Sequence, residues 1–281
     1  MAINWFPGHM AKTRREIKEN LKLVDAIIEI RDARIVRSSK NPDVDDICGN
    51  KPRIILLNKS DLSEEKVTRE WIKNLSKDNI RLIGVNCLTG EGLKGIRPLM
   101  NDLLKEKHGR MKEKGIVNIT DRVMVIGIPN VGKSTFINKM AKNNIAKTGD
   151  RPGVTKSKQW IKTKIGMELM DTPGILWPKL ESEETQLNLA FTGAIKDEIM
   201  DIEELALKLI ERLQNEYPDR LMGRYKLTEL SEDPLENMNN IGRKRGAVIS
   251  GGQIDYNRVA VLLLDEFRGG KLGNISLERP E

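Results

Sequence analysis

Gly127–Thr135 reads GIPNVGKST, and the residues on either side decide what that stretch is. Before it runs Val123-Met124-Val125-Ile126, apolar and β-branched, which reads as a buried strand. After it, Ser134 to Lys142 reads as a helix. Strand, glycine-rich turn, Lys-Ser and helix make a phosphate-binding loop, in which backbone N–H groups and the positive end of the helix face the anion. Asn130, Val131, Gly132, Lys133, Ser134 and Thr135 then line the phosphates. Lys133 reaches the β- and γ-phosphates, and the Ser134 hydroxyl is placed for Mg²⁺. Gly127 and Gly132 leave space for close backbone approach. A surface turn that contained Gly-Lys-Ser by chance would lack both flanking elements.

Upstream, the sequence alternates. A helix from Met10 to Leu21 is basic on one face, and Val24–Ile30 reads as a strand. A polar connection with a short helix covers 33–50, followed by the apolar strand Arg53–Leu57. Ser63 is placed to cap a helix carrying Val67, Trp71, Ile72 and Leu75. Arg81–Val85 is a third strand, and Leu93 to Lys107 shows helical spacing of apolar residues. The basic run Lys105–Lys114 reads as an exposed helix end or linker. Downstream, strands over 157–163 and 167–170 frame Gly166 as a hairpin. Strands alternating with helices predict a largely parallel α/β sheet. Beyond Pro178 only helical patterns appear, at 183–191, 201–216, 235–241 and 255–267. The expectation is therefore an α/β domain over 1–178 and a small all-α domain over 179–281.

The chain has 281 residues, with 32% charged and 38% hydrophobic side chains, the balance of a soluble globular protein. Its net charge of +7 is unevenly spread. Residues 1–178 hold 34 Lys and Arg against 21 Asp and Glu, whereas 179–281 hold 14 against 20. A basic first part points either to a polyanionic partner, nucleic acid first, or to a plain solvated surface. Cys48 and Cys87 alone supply neither a disulfide framework nor a metal cluster. The amino terminus MAINWFPGHM does not read as a signal peptide, and no apolar run is long enough to span a bilayer. The expectation is a cytoplasmic protein with no membrane partner.

Four short motifs join the phosphate loop into a guanine-nucleotide site. Asp171-Thr172-Pro173-Gly174 follows a strand and offers a carboxylate to Mg²⁺ and the Gly174 amide to the γ-phosphate. Thr155, between the two motifs, offers a second hydroxyl to Mg²⁺. Asn58-Lys59-Ser60-Asp61 matches the Asn-Lys-x-Asp pattern. The Asp61 carboxylate accepts two N–H bonds from guanine, a donor pair that adenine lacks, so a site built for guanine rejects adenine. Asn58 buttresses the loop and the Lys59 stem packs on the base face. Asn86-Cys87 after a strand is the weakest motif, expected to offer a backbone amide to the guanine oxygen. The competing reading is an ATPase with accidental extra motifs.

Their order is unusual, because base reading (58–61, 86–87) precedes the phosphate loop. On that order the sequence resembles the circularly permuted GTPases. With the amino-terminal Trp-Phe-Pro-Gly-His-Met and the helical tail, it is similar to the ribosome biogenesis GTPase A family from about residue 3 to about residue 270. The resemblance implies a GTPase that helps mature the large ribosomal subunit. It also implies GTP, GDP and Mg²⁺ as ligands, and a helical domain that meets rRNA. Gly174 feeds directly into that domain, so the γ-phosphate can bias it; a monomer is expected.

Three assignments stay open on sequence. Ile175 stands where Ras-like switches carry the Gln that orients the attacking water. His9 either takes that role, with Lys133 and Thr155 as the other catalytic groups, or caps the first helix or packs beside Trp5. Asn130 resembles the asparagine that ligates K⁺ in related GTPases, or it is a turn residue that tolerates unusual dihedrals. Arg243, Lys244 and Arg245 form a cationic cluster for rRNA, or a solvated helix end. On function, a GTPase whose hydrolysis gates release from the particle stands against an RNA-binding switch whose hydrolysis is incidental.

Overall fold

β1 (Ala26–Asp32), β2 (Arg53–Asn58), β3 (Ile80–Val85) and β4 (Asp121–Ile126) form the parallel part of one six-stranded sheet. The computed structural model describes residues 15, 17–116, 118–142, 160–172 and 182–280. β6 (Met167–Asp171) pairs parallel with β4, and the short β5 (Trp160–Lys162) closes the edge antiparallel. The strand order is β3-β2-β1-β4-β6-β5. β1 and β2 are buried along their whole length; β2 carries the apolar run Ile54–Leu57, whereas β1 buries the charged Glu29, Arg31 and Asp32 among its apolar residues.

On one face, Ile27, Met124, Ile126 and Met170 pack with Ile17, Leu21 and the helix α1 (Val44–Cys48). A second cluster joins Ile55, Leu57 and Leu82 to Val67 and Trp71 of α2 (Glu65–Leu75). The register places Glu29 beside Ile55 and Ile27 beside Arg53, so both clusters share this face. Between them lies an ionic chain that is buried at Glu29, Arg31 and Arg53 and reaches the surface at Asp45. Glu29 pairs with Arg31 at 2.6 Å and with Arg53 at 3.1 Å, and Arg53 continues to Asp45 at 2.7 Å. The helix α3 (Ile96–Leu103) lies against β2 and β3, and α4 (Lys105–Glu113) follows it.

Several expected boundaries move. β1 extends to Asp32, two residues beyond the apolar run. Ser63 does not cap α2; Glu64 occupies that position, and the Ser63 hydroxyl instead pairs with Thr68 Oγ1 at 2.7 Å. The single helix expected over 93–107 is a 3-10 turn at Leu93–Gly95 and then α3 and α4, which meet at Leu104. The run 105–114 is thus helix over Lys105–Glu113, and His108 on it bonds the buried Asp121 at 2.8 Å.

The helices α6 (Glu183–Phe191), α7 (Ile202–Glu216), α8 (Pro218–Tyr225), α9 (Pro234–Arg245) and α10 (Tyr256–Arg268) make the second unit. Ser182, Asp201, Asp233 and Asp255 each accept a backbone N–H as N-cap, each contributing about 1 kcal/mol. Leu205, Leu209 and Leu213 of α7 are buried, and α9 and α10 pack on that helix. The sequence pattern missed α8, which buries only Leu221 and Tyr225 and so shows a single helical repeat.

Contacts divide the chain into residues 1–180 with 278–281, and 181–277. The last residues therefore belong to the unit that contains the sheet. Glu278 is buried, and its carboxylate accepts the backbone N–H groups of Arg37 (2.5 Å) and Ser38 (3.0 Å), and the Ser38 hydroxyl. Arg279 pairs with Glu64 at 2.6 Å, and the Trp71 indole donates to the Glu278 carbonyl at 3.4 Å. Removing the carboxylate strands two backbone donors, at a cost of about 2–4 kcal/mol. Glu278→Ala is therefore expected to lower the melting temperature of the unit that holds the sheet by several degrees in a thermal scan. An unchanged melting temperature would mean that the tail is only passively seated.

Candidate nucleotide-binding site

In a parallel sheet the carboxyl ends of the strands share one edge, and here the motifs line that edge. Asn86 follows β3, Asn58 ends β2, Gly127 follows β4 and Asp171 ends β6. The chain order is permuted, yet in space the Asn58 turn, the Gly127–Thr135 loop and Asp171 follow one another along a single edge. β1 lies between β2, which ends at Asn58, and β4, which leads into the Gly127–Thr135 loop.

The phosphate loop passes Asn130 at φ 60° and enters α5 (Lys133–Met140) from Gly132 at φ 102°. Asn130 thus adopts the left-handed conformation that its side chain tolerates, the turn role weighed in the sequence. A Cβ at Gly127 would meet the Ile30 carbonyl at 2.7 Å, and one at Gly132 would collide with Asn58 Nδ2, so both positions require glycine. Lys133 is 9% exposed, and its ammonium donates to the Ile128 carbonyl at 3.0 Å. Burial pushes its pKa down to about 8, against the opposing pull of the Asp171 carboxylate. Thr172 ties the end of β6 to β4, its hydroxyl donating to the Val125 carbonyl at 2.7 Å. Ser134 and Thr135 are exposed on the first turn of α5, and Val131 is buried.

The structure joins three motifs through one side chain. Asn58 is 4% exposed; its Nδ2 donates to the Val131 carbonyl at 2.7 Å, and its Oδ1 accepts the Cys87 N–H at 2.9 Å. The end of β2, the loop before α5 and the turn after β3 are thereby locked together. This also corrects the role expected of Asn86-Cys87. The Cys87 amide is committed to Asn58, while Asn86 Oδ1 accepts the amides of Leu88 (2.9 Å) and Thr89 (3.0 Å). The pair holds the loop instead of offering the Cys87 amide to guanine. Burial pushes the Cys87 thiol up to about 12, which leaves it unreactive. Asp61 is exposed on the 3-10 turn Ser60–Leu62, and Lys59 stands at φ 60° just before it.

His9, Thr155 and Gly174 lie outside the described residues. Of the basic cluster, Arg243 and Lys244 are exposed in the last turn of α9. Arg245 is half-buried and largely structural. It donates to the Arg224 carbonyl at 3.2 Å, approaches Glu266 at 3.6 Å and lies 5.1 Å from the Tyr225 ring centre. Sequence reasoning also missed Asp32, whose carboxylate pairs with Lys59 at 2.9 Å and with Arg34 at 2.8 Å. Its signal was weak, since the apolar run of β1 stops at Ile30.

The family described as 50S ribosome-binding GTPase matches residues 122–235, starting at the strand that feeds the phosphate loop. Ribosome biogenesis GTPase A of Bacillus pumilus is 50% identical over 281 residues, covering all of both chains. The chain belongs to the ribosome biogenesis GTPase A family. The member from Thermotoga maritima is 33% identical over 279 residues, covering 99% of this chain and 95% of that one. The crystal structure of GNP-bound YlqF from T. maritima superposes with a TM-score of 0.65 at 31% identity, covering 96% of this chain and 99% of that one. The family assignment makes this chain a GTPase with a role in ribosome biogenesis, and the permuted motif order fits YlqF. Among the described residues, no helix is long and apolar enough to cross a membrane.

Proposed function

We propose that this GTPase binds the maturing large ribosomal subunit through its rRNA, as a monomer, and that GTP hydrolysis gates its release. The observation that carries the reading is the permuted motif set assembled on one sheet edge, in a chain similar over its full length to ribosome biogenesis GTPase A. Asp61 reads guanine, Lys133 holds the β- and γ-phosphates, and the amides of the turn cradle them. Ser134 and Asp171 suit Mg²⁺, which takes few protein oxygens and several from phosphate and water. The pull of Asp171 on Lys133 supports that placement beside the phosphate loop. Mg²⁺ supplies charge neutralisation at the transferring phosphoryl group. Thr155 adds a hydroxyl to the metal, Gly174 meets the γ-phosphate, and Asn130 ligates K⁺.

With Ile175 after Gly174, His9 orients the water, and the particle raises turnover. Arg243 and Lys244 contact rRNA, with Arg245 holding their helix in place. Cytoplasmic action follows from such a partner. The test is sedimentation with ribosomal subunits in GDP and in a non-hydrolysable GTP analogue, across a salt series. Co-sedimentation should be stronger with the analogue and weaken steeply with salt as counterions are released. Stimulated turnover should fall in His9→Ala, and in wild type when Na⁺ replaces K⁺. Binding that ignores both nucleotide and salt would overturn the assignment. Normal release of a slow-hydrolysing variant would favour the switch with incidental hydrolysis.

A further inference from the structure

The turn after β3, Asn86 to Glu91, spends its backbone amides close to home. The Asn86 N–H donates to the Glu91 carbonyl at 3.1 Å, and the Gly90 N–H to the Asn86 carbonyl at 2.7 Å. Leu88 and Thr89 donate to Asn86 Oδ1, Glu91 to the Thr89 hydroxyl at 3.3 Å, and Cys87 to Asn58. The turn is thus a closed unit, and one of its ties to other elements is the Cys87–Asn58 bond. A second comes from Lys139, whose ammonium donates to the Leu88 carbonyl at 3.1 Å.

Lys139 lies outside the sequence motifs. It sits near the end of α5, the helix that begins at Lys133 and carries Ser134 in its first turn. β3 is the edge strand, and β2 and β1 separate it from β4, which leads into α5. The Lys139 bond spans that gap. Its stem crosses Gly90, at φ 96°, where a Cβ would meet Lys139 Cε at 2.9 Å. A helix transmits displacement as a rigid element, so α5 links the position of Lys133 and Ser134 to that of Lys139. From there the path runs through the Leu88 carbonyl, the Cys87 N–H and Asn58 Oδ1 to the turn that carries Asp61.

We propose that Lys139 is a positioning residue for guanine recognition. It clamps the turn after β3 onto the helix that follows the phosphate loop, and through Asn58 it sets the Asp61 turn relative to the bound phosphates. The role rests on reading Asn58-Lys59-Ser60-Asp61 as the base reader, and it adds to that reader a residue from the phosphate side. The clamp slows release, because it keeps the base end and the phosphate end of the site in register.

The experiment uses the full chain and follows the release of a fluorescent GDP by stopped flow. Lys139→Met keeps a stem across Gly90 and removes the donor. Release should be about fivefold faster, the order expected for one exposed hydrogen bond. Lys139→Arg, which restores a donor, should release near the wild-type rate. Pyrophosphate, which carries no base, should bind all three forms equally in calorimetric titrations. If Lys139→Met weakened GDP and pyrophosphate alike, the lysine would act only as a charge that attracts phosphate, and the proposal would fall. It would fall also if release were unchanged in Lys139→Met. In an Asn58→Ala background, where the route through Cys87 is cut, Lys139→Met should add nothing; losses that multiply would overturn the proposal. Asp61→Asn, titrated with GDP and xanthosine diphosphate, tests the base reader separately. If it does not exchange guanine for xanthine preference, the reader falls and this role with it. If it does and Lys139→Met releases GDP at the wild-type rate, only the role of Lys139 falls.

Discussion

Lys133→Ala is expected to weaken GDP and GTP by about a hundredfold to a thousandfold, the cost of truncating one partner of a buried charge pair. Wild type should also show a pH dependence that the variant lacks. In the nucleotide-free protein, burial holds the ammonium at about 8, well below its ordinary value. Bound phosphate favours the protonated form and raises that pKa, so binding takes up a proton wherever Lys133 starts out neutral. Affinity is then flat below about pH 7 and falls as pH rises through about 8, by up to about tenfold per unit. The terminal phosphate of the nucleotide titrates near pH 6 and stays fully ionised through this window. Calorimetric titrations in buffers of different ionisation enthalpy, between about pH 7 and 9, read the proton directly. A wild-type affinity that stays level across this range would show that Lys133 is charged before the nucleotide arrives.

Asn58→Ala is expected to loosen three motifs at once. It strands the Val131 carbonyl and the Cys87 N–H, both tied to Asn58 in a buried setting, at about 1–3 kcal/mol for each group left unpaired. The phosphate loop and the turn after β3 then lose their common brace, so GDP dissociates faster and the melting temperature drops. Asn58→Asp should do no better. It keeps an acceptor for Cys87 but sets a carboxylate oxygen against the Val131 carbonyl. Stopped-flow release of a fluorescent GDP checks both variants. Release at the wild-type rate from Asn58→Ala would mean that the two ends of the site are positioned independently.

Much of this site was legible in the sequence because its parts are local. A phosphate loop is a contiguous strand, turn and helix, and its glycines are demanded by close approach within a few residues. Asn58 and Asp171 stood out for the same reason, each closing a strand, as did Asp61 in the turn after β2 and Lys133 at the start of the helix that follows the loop. The four helices Glu183–Phe191, Ile202–Glu216, Pro234–Arg245 and Tyr256–Arg268 were likewise readable from spacing, to within a few residues. The short helix Pro218–Tyr225 was not, because eight residues with two buried positions carry too little periodicity.

What the sequence by itself determined is the set of chemical parts and their permuted order. Which parts touch is set by strand order, which brings together residues far apart in the chain. Asn58 reaches Val131 only because β1 alone separates β2 from β4. Asp32 became a partner of Lys59 only when β1 ran two residues past its apolar stretch. Cys87 turned from a ligand contact into a brace because its amide meets a side chain 29 residues away. Arg245 left the exposed basic cluster because helical spacing turns it toward Glu266 and Tyr225. Glu278 joined the unit that holds the sheet because its carboxylate accepts two backbone donors of a loop about 240 residues away. Local chemistry can be read along a chain, but the satisfaction of buried polar groups is a three-dimensional account that only the fold closes.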